Sequence, residues 1–388
     1  MNKRIPLGIT IGVTALAAAI AVLVTWFTSL HIYNQKLTVD PGAAALNAKL
    51  TEMEQLVADH AYYEVDPAIL LDETANGYVN GLSDPYANYF TKAEYQRETE
   101  NNRGQMTGFG LTIQQDSSGY LRIAGVMPEA PAAEAGLKED DLILSIEGEA
   151  LPAIGYGRAT ELLTVNAGES RQITVRRGTE EKAYTLTARQ IDLVSVSLEM
   201  KEEIGIITIS GFYGNTAEQT KAAVEEAQSQ GARGLLFDLR NNGGGTVEGV
   251  CATLDYLLPE GTLMTSRLKD GTVEETYTSD AAEITLPMTV LVNENTASAA
   301  ELFACDLRDF GKAELVGTQT YGKWVKQRLY PLSDGSALRL TGAAFYSAAD
   351  GNYDGVGLTP DYIVTQSADQ TADLQMQKAL DVLRAAIG

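Results

Sequence analysis

The chain of 388 residues holds only two histidines, two cysteines, and 29 lysines and arginines against 52 acidic residues. Each shortage excludes something. Cys251 and Cys305 make no disulfide framework and read as buried thiols, and His31 and His60 cannot supply most metal sites, so no metal and no cofactor is expected. A net charge of -23 and a pI near 4.5 argue against nucleic acid and anionic headgroups as partners, because both are held mainly by cations that neutralise phosphate. Both histidines fall within the first sixty residues, so a Ser/His/Asp triad further along the chain has no base. What is present, 45% hydrophobic and 21% charged residues, is the composition of a folded protein. The length predicts two or three domains.

Lys3 and Arg4 precede an uncharged run over residues 5–30. As a helix it would be roughly 39 Å long, enough to cross a hydrocarbon core of about 30 Å. The run is longer than a leader's apolar region and carries Trp26 near its far end, which favours an uncleaved single-pass anchor over a cleaved signal peptide. By the positive-inside rule, everything after the run lies outside the cytoplasm.

Residues 43–63 carry Leu46, Leu50, Met53, Leu56 and Val57 at helical spacing, and Asp66-Pro67 starts a second helix that Gly81 and Asp84-Pro85 end. Both read as packing helices. From about 108 to 189 the pattern changes to short β runs at 110–113, 120–124, 141–146, 171–175 and 184–187, interrupted by helices at 130–135 and 156–163. After Ile191 strands and helices alternate, which predicts a mostly parallel sheet: strands at 204–209, 234–240 and 286–292, helices at 217–230, 246–258 and 297–310.

Two local arrangements could carry chemistry. Asn293-Glu-Asn-Thr-Ala-Ser-Ala-Ala-Glu301 leads a strand end into a helix with Ser298 in its first turn. A serine there is most often a helix cap, yet the same position offers free N–H groups and a helix dipole to an oxyanion. Asn241-Asn-Gly-Gly-Gly245 is a second source of such donors, although alone it is an ordinary glycine turn. A serine nucleophile needs a base, and without histidine the remaining well-known choice is lysine. Gly317-Thr-Gln-Thr-Tyr-Gly-Lys-Trp-Val-Lys-Gln327 offers Lys323 in a strand-like segment.

The run 126–146 with Gly108-Phe-Gly-Leu111 ahead of it resembles a PDZ domain. Such a domain holds a peptide's terminal carboxylate on loop N–H groups while the peptide adds as a strand. Joined to Gly81-Leu-Ser-Asp-Pro-Tyr-Ala-Asn-Tyr-Phe90, Asp238-Leu-Arg-Asn-Asn-Gly-Gly-Gly245, Thr296-Ala-Ser-Ala-Ala-Glu301, Tyr321-Gly-Lys323 and Gly355-Val-Gly-Leu-Thr-Pro-Asp361, the ectodomain resembles the C-terminal processing peptidases. These are membrane-anchored or exported Ser/Lys serine proteases with an inserted PDZ domain.

The resemblance implies a multidomain fold mixing α/β and β. Its parts are a cytoplasmic tip and transmembrane helix (1–40), a helical region (41–100), a partly open PDZ-like barrel (101–190) and a crotonase-like α/β protease domain (191–388), on which 41–100 would pack. It implies Ser298 as nucleophile, Lys323 as base, Gln327 as the group that orients the lysine, and Ala299 with Gly243 or Gly244 as oxyanion donors. Gly108, Phe109, Gly110 and Leu111 would bind peptide. The expected function is an endopeptidase of the cell membrane that cleaves extracytoplasmic proteins with apolar C-termini, acting either singly or as a homodimer. Two departures stand out: Gly243 where the family usually has proline, and Trp324-Val-Lys326 where it usually has small residues. The second leaves a catalytically inactive PDZ adaptor as the alternative, and the family's fold relation to crotonases, which also use Gly-rich oxyanion turns, leaves an acyl-thioester enzyme as a third reading.

Overall fold

The computed structural model describes residues 41–366 and 372–388, so the apolar run at 5–30 lies outside the described residues. No helix among the described residues is long and apolar enough to cross a membrane. The chain divides into two compact units, one ending at Thr74 and one spanning Ala75–Gly388. In the first, α1 (Pro41–His60) and the start of α2 (Pro67–Asn80) have the expected helical periodicity. Leu46, Met53, Leu56 and Val57 are nevertheless exposed, so the stripe is not buried as a packing helix requires.

The second unit begins with the end of α2 and continues with β1 (Asn88–Phe90), α3 (Lys92–Asn102) and β2 (Gln105–Gly108). Helix α3 starts at a capping box: the Thr91 hydroxyl accepts from the Glu94 N–H and the Glu94 carboxylate from the Thr91 N–H. A β sheet follows, built from β3 (Leu111–Gln115), β4 (Leu121–Val126), β5 (Leu142–Ile146), β6 (Glu149–Ala150), β7 (Ser170–Arg177) and β8 (Glu180–Thr187), in the order β3-β4-β5-β7-β8 with β6 on β5. Two helices accompany it, α4 (Pro131–Glu134) and α5 (Leu151–Leu163). The second is two helical segments separated by a kink at Gly155 (φ 73°), so its longer segment begins at the expected 156 and a short turn from Leu151 precedes it. Alternate residues Ile123, Ile143, Ile173, Val175 and Leu186 face inward and close a separate core with Phe109 and Leu151. β9 (Arg189–Asp192) pairs back on β2, so chain entry and exit of this domain form one ribbon.

The C-terminal half is a six-stranded sheet, β10 (Val196–Lys201), β11 (Ile204–Ile209), β12 (Gly234–Asp238), β15 (Met288–Val292), β16 (Ala313–Gly317) and β19 (Tyr362–Ile363). All pairs are parallel except β10 with β11. Between these strands run α6 (Thr216–Ser229), α7 (Val247–Leu257), the hairpin strands β13 (Gly261–Arg267) and β14 (Val273–Ser279), α8 (Ala299–Asp309), β17 (Val325–Pro331) and β18 (Ala337–Tyr346); α9 (Leu374–Ile387) ends the chain. β12 and β15 are buried on both faces, as parallel strands covered by helices must be. Leu235, Phe237, Val290 and Val292 point into the core made with α6, α7 and α8, whereas Leu236 and Leu291 point to α9. A second sheet, β1-β18-β13-β14 with β17 on β18, brings β1 and the segment before α3 alongside the C-terminal half.

Phe303 of α8 sits at the centre of the larger core, its ring 5.3 Å from both Phe212 and Phe237. Phe303→Ala is expected to cost about 3–5 kcal/mol in urea unfolding followed by tryptophan fluorescence. A loss below about 1 kcal/mol would mean that α8 is not anchored by this cluster.

Candidate active site

β15 runs into α8 through a sharp elbow at Ser298, whose φ of 56° and ψ of -120° are unusual for a non-glycine residue. An ordinary N-cap serine sits in the extended region and spends its hydroxyl on the helix. Here the Glu301 N–H bonds to the Ser298 carbonyl oxygen instead, at 2.9 Å, and the half-buried hydroxyl lines a cleft. The Ser298 N–H donates to Glu301 Oε2 at 2.8 Å, which holds the elbow in its strained conformation.

The glycine turn after β12 packs directly on this elbow. Buried Asn242 fixes it from three sides: its Nδ2 donates to the Ile209 carbonyl (2.8 Å), its Oδ1 accepts from the Gly244 N–H (2.8 Å), and its carbonyl accepts from the Ala297 N–H (3.0 Å). A Cβ on Gly244 would come within 3.0 Å of Ser298 Cβ and the Ala299 nitrogen, so only glycine permits the approach. Among the described residues, the N–H groups of Gly243 and Ala299 carry no hydrogen bond, whereas that of Gly244 is engaged. Of the two glycines expected as donors, only Gly243 has its N–H free for a substrate.

Lys323 lies in the loop before β17, not in a strand as its sequence pattern suggested. The loop is held by the same carboxylate that holds Ser298: Glu301 Oε1 accepts from Thr320 Oγ1 (2.5 Å) and the Gly322 N–H (2.8 Å), and Oε2 accepts from the Lys323 N–H (2.8 Å). Beneath it Trp324 is fully buried, stacked on Phe345 at 4.9 Å with Tyr353 edge-on at 5.1 Å. The large residue that departs from the family pattern is thus a packing anchor under the loop. The Lys323 ammonium nitrogen stands 4.7 Å from the centre of the Tyr86 ring. Burial holds its pKa below the ordinary lysine value, and the Arg339 charge lowers it further against the opposing pull of Asp84 and Glu301.

One cleft of about 700 Å³ is lined by Gly243, Gly244, Ser298, Ala299, Lys323 and Gln327. Gln327 does not reach Lys323 by a hydrogen bond; its Nε2 donates to the Val325 carbonyl (3.0 Å) and to Thr341 Oγ1 (3.4 Å). A bulge between Lys326 and Gln327 shifts the β17–β18 register at this point. Gly108, Phe109, Gly110 and Leu111 line a different groove, of about 290 Å³.

A family model for peptidase family S41 matches residues 203–364, and one for the PDZ domain matches 122–177. A probable CtpA-like serine protease of Staphylococcus haemolyticus is 30% identical over 370 residues, which cover 93% of this chain and 73% of that protein. The chain belongs to the CtpA-like serine proteases. A probable CtpA-like serine protease of Staphylococcus epidermidis is 28% identical over 91% of this chain and 72% of its own. The solved photosystem II D1 C-terminal processing protease is 24% identical, with a TM-score of 0.48 over 85% of this chain and 89% of that one. This CtpA-like chain is accordingly a serine-type peptidase with a PDZ domain.

Several site residues escaped sequence reasoning. Asp84 and Tyr86 were visible only as part of a motif, with no role attached. In the fold, Asp84 accepts from the Thr341 N–H (2.7 Å) and hydroxyl (2.9 Å), which fastens the segment carrying Tyr86 to β18. Burial tends to raise the Asp84 pKa, but these bonds and those from the Tyr86 and Ala87 backbone leave it below the usual value. Arg339, paired with Glu98 at 3.3 Å, had no local signal at all. The two cysteines are free and buried, and burial pushes the Cys305 thiol up to about 12, so neither is a reactive thiolate.

Glu301 offers the sharpest test of this geometry. Gln at this position keeps one acceptor oxygen and turns an NH2 toward backbone donors. Glu301→Gln is expected to cost about 2–4 kcal/mol, since unpaired buried donors cost about 1–3 kcal/mol each, and to lower peptidase activity with it. An unchanged melting temperature with full activity would show that the carboxylate is not what joins the two loops.

Proposed function

We propose that Ser298 is the nucleophile and Lys323 the general base of this serine peptidase. The observation that carries the reading is the shared Glu301 carboxylate, which bonds the backbone N–H of both residues and sets them on one cleft. The neutral amine takes the Ser298 Oγ proton as that oxygen attacks the scissile carbonyl. The oxyanion that forms accepts from the free N–H groups of Ala299 and Gly243, in a turn that Asn242 has already fixed. The resulting ammonium gives its proton to the leaving amine, and the acyl-enzyme is then hydrolysed by a water that the restored amine activates. Gln327 acts at one remove, by fixing the strand that follows the base.

Substrate delivery falls to the PDZ domain. β3 is an edge strand beside the groove of Gly108, Phe109, Gly110 and Leu111, so a peptide ending in apolar residues adds to that edge with its carboxylate on the loop N–H groups. The division proposed is a tip and anchor at 1–40, a helical region at 41–100, the PDZ domain at 101–190 and the protease domain at 191–388. The apolar run at 5–30 is proposed to hold the chain in the cell membrane with the catalytic domain outside the cytoplasm, either singly or as a homodimer. Alkaline carbonate extraction should leave the full-length protein with the membrane; release of a chain lacking its first thirty residues would identify a leader instead.

Hydrolysis of unfolded casein should be lost in Ser298→Ala and fall at least about a thousandfold in Lys323→Ala, on the scale of general-base catalysis. Lys326→Ala should be far milder, because that amine is paired with Glu275. Only the neutral amine accepts a proton, so kcat/KM should rise with pH through one limb placed below the ordinary lysine value of 10.5. Casein hydrolysis that survives Ser298→Ala would overturn the assignment, and none in the wild type would favour the inactive adaptor.

A further inference from the structure

Helix α3 precedes the PDZ fold in the chain, yet it forms one wall of the PDZ groove: Ala93, Gln96, Arg97 and Glu100 face Phe109 and Leu111 across it. The spacing 93, 96, 97, 100 is one face of a helix. The opposite side of the same helix, with Glu98, Asn101 and Asn102, lines the catalytic cleft. The level at which Arg97 meets the groove follows from chain geometry. After the turn at Arg103 and Gly104 the chain runs back along α3 as β2, whose four residues at about 3.3 Å each cover the length of roughly nine helical residues at 1.5 Å. Gly108 and Phe109 therefore return beside the first half of α3, where Arg97 stands.

Three observations make Arg97 more than a surface charge. Among the described residues it is the only cation lining this groove, in a chain of net charge -23. Its guanidinium has, among the described residues, no ion pair and no hydrogen bond, and the acids near it on α3 have other partners. Glu94 caps the helix, Glu98 turns away to Arg339, and Glu100 accepts from Gln96 Nε2 at 3.2 Å. The loop opposite presents the N–H groups of Phe109 and Gly110 without partners among the described residues, while their carbonyls accept from the N–H groups of Ala132 (3.0 Å) and Met127 (2.9 Å). A Cβ on Gly110 would fall 2.2 Å from that of Ala130, so the loop is built for glycine. The remaining groove walls are largely apolar, Met106, Leu111, Ile113, Leu163 and Val165 among them.

We infer that Arg97 is the cation of the peptide-carboxylate site, supplied to the PDZ groove from outside the PDZ fold. A guanidinium brings a full positive charge and a fixed fork of N–H donors to a carboxylate, a charge that the neutral loop N–H groups lack. The ligand class is an apolar peptide with a free terminal carboxylate, and the inference rests on the PDZ reading proposed above.

The test uses the full chain carrying Ser298→Ala, so that peptide is bound and not cut, and fluorescein-labelled Gly-Ser-Gly-Ser-Leu-Ala-Val as probe in anisotropy titrations. Three forms are compared: free carboxylate, C-terminal amide, and an amide with aspartate replacing the second serine. The expected result is that Arg97→Ala weakens the free-carboxylate peptide about tenfold, leaves the plain amide unchanged, and removes most of the salt dependence, with Arg97→Lys recovering part of the loss. Equal binding of the acid and amide before Arg97 is changed would overturn carboxylate capture itself. A carboxylate preference that persists undiminished in Arg97→Ala would overturn only the role of Arg97. So would an Arg97 effect that follows the internal aspartate rather than the terminus.

Discussion

Glu301 is a fully buried carboxylate that accepts from the Ser298, Gly322 and Lys323 N–H groups and the Thr320 hydroxyl. Burying a carboxylate without such partners would be prohibitive, so its position in the fold is only tolerable when all four donors are in place. The constraint runs the other way too: three backbone donors from two loops 25 residues apart have no other acceptor of this kind. Ser298 can therefore keep its strained φ, and Lys323 can sit in a loop with no strand partner of its own. The serine elbow, the lysine loop and the glycine turn that Asn242 ties to Ala297 become one rigid object.

Around that object, α3 and the segment before it are the shared structural material of the two domains. The segment places the Tyr86 ring on the Lys323 amine and Asp84 on β18, while α3 walls the catalytic cleft on one side and the PDZ groove on the other. Residues 75–102 look in sequence like a prelude to the PDZ domain. In three dimensions they finish both sites, through β1 pairing with β18 some 250 residues away.

What the sequence made legible follows from locality. Ser298 at a strand-to-helix junction, the Asn-Gly-Gly-Gly turn and the alternating PDZ strands are short-range patterns, and each was readable from neighbours in the chain. The lysine was found by elimination of histidine and by family resemblance, but its setting was not, because the segment around Trp324 reads as strand-like although it is a loop pinned from above by Glu301 and from below by Phe345. Tyr86, Arg339 and the groove-facing role of Arg97 depend on contacts between distant segments, which no periodicity encodes. Gly244 shows the finer limit: its glycine is required, yet for close approach to Ser298 rather than for its N–H, which Asn242 consumes.

The proposed dyad requires that Ser298 owe its reactivity to Lys323. A fluorophosphonate probe followed by peptide mapping measures this without any substrate. The label should fall on Ser298 in the wild-type chain and be nearly absent from the folded Lys323→Ala chain, although the serine and its elbow remain. Labelling of Ser298 that is unaffected by the loss of Lys323, or label on Ser210 in the same cleft, would contradict it.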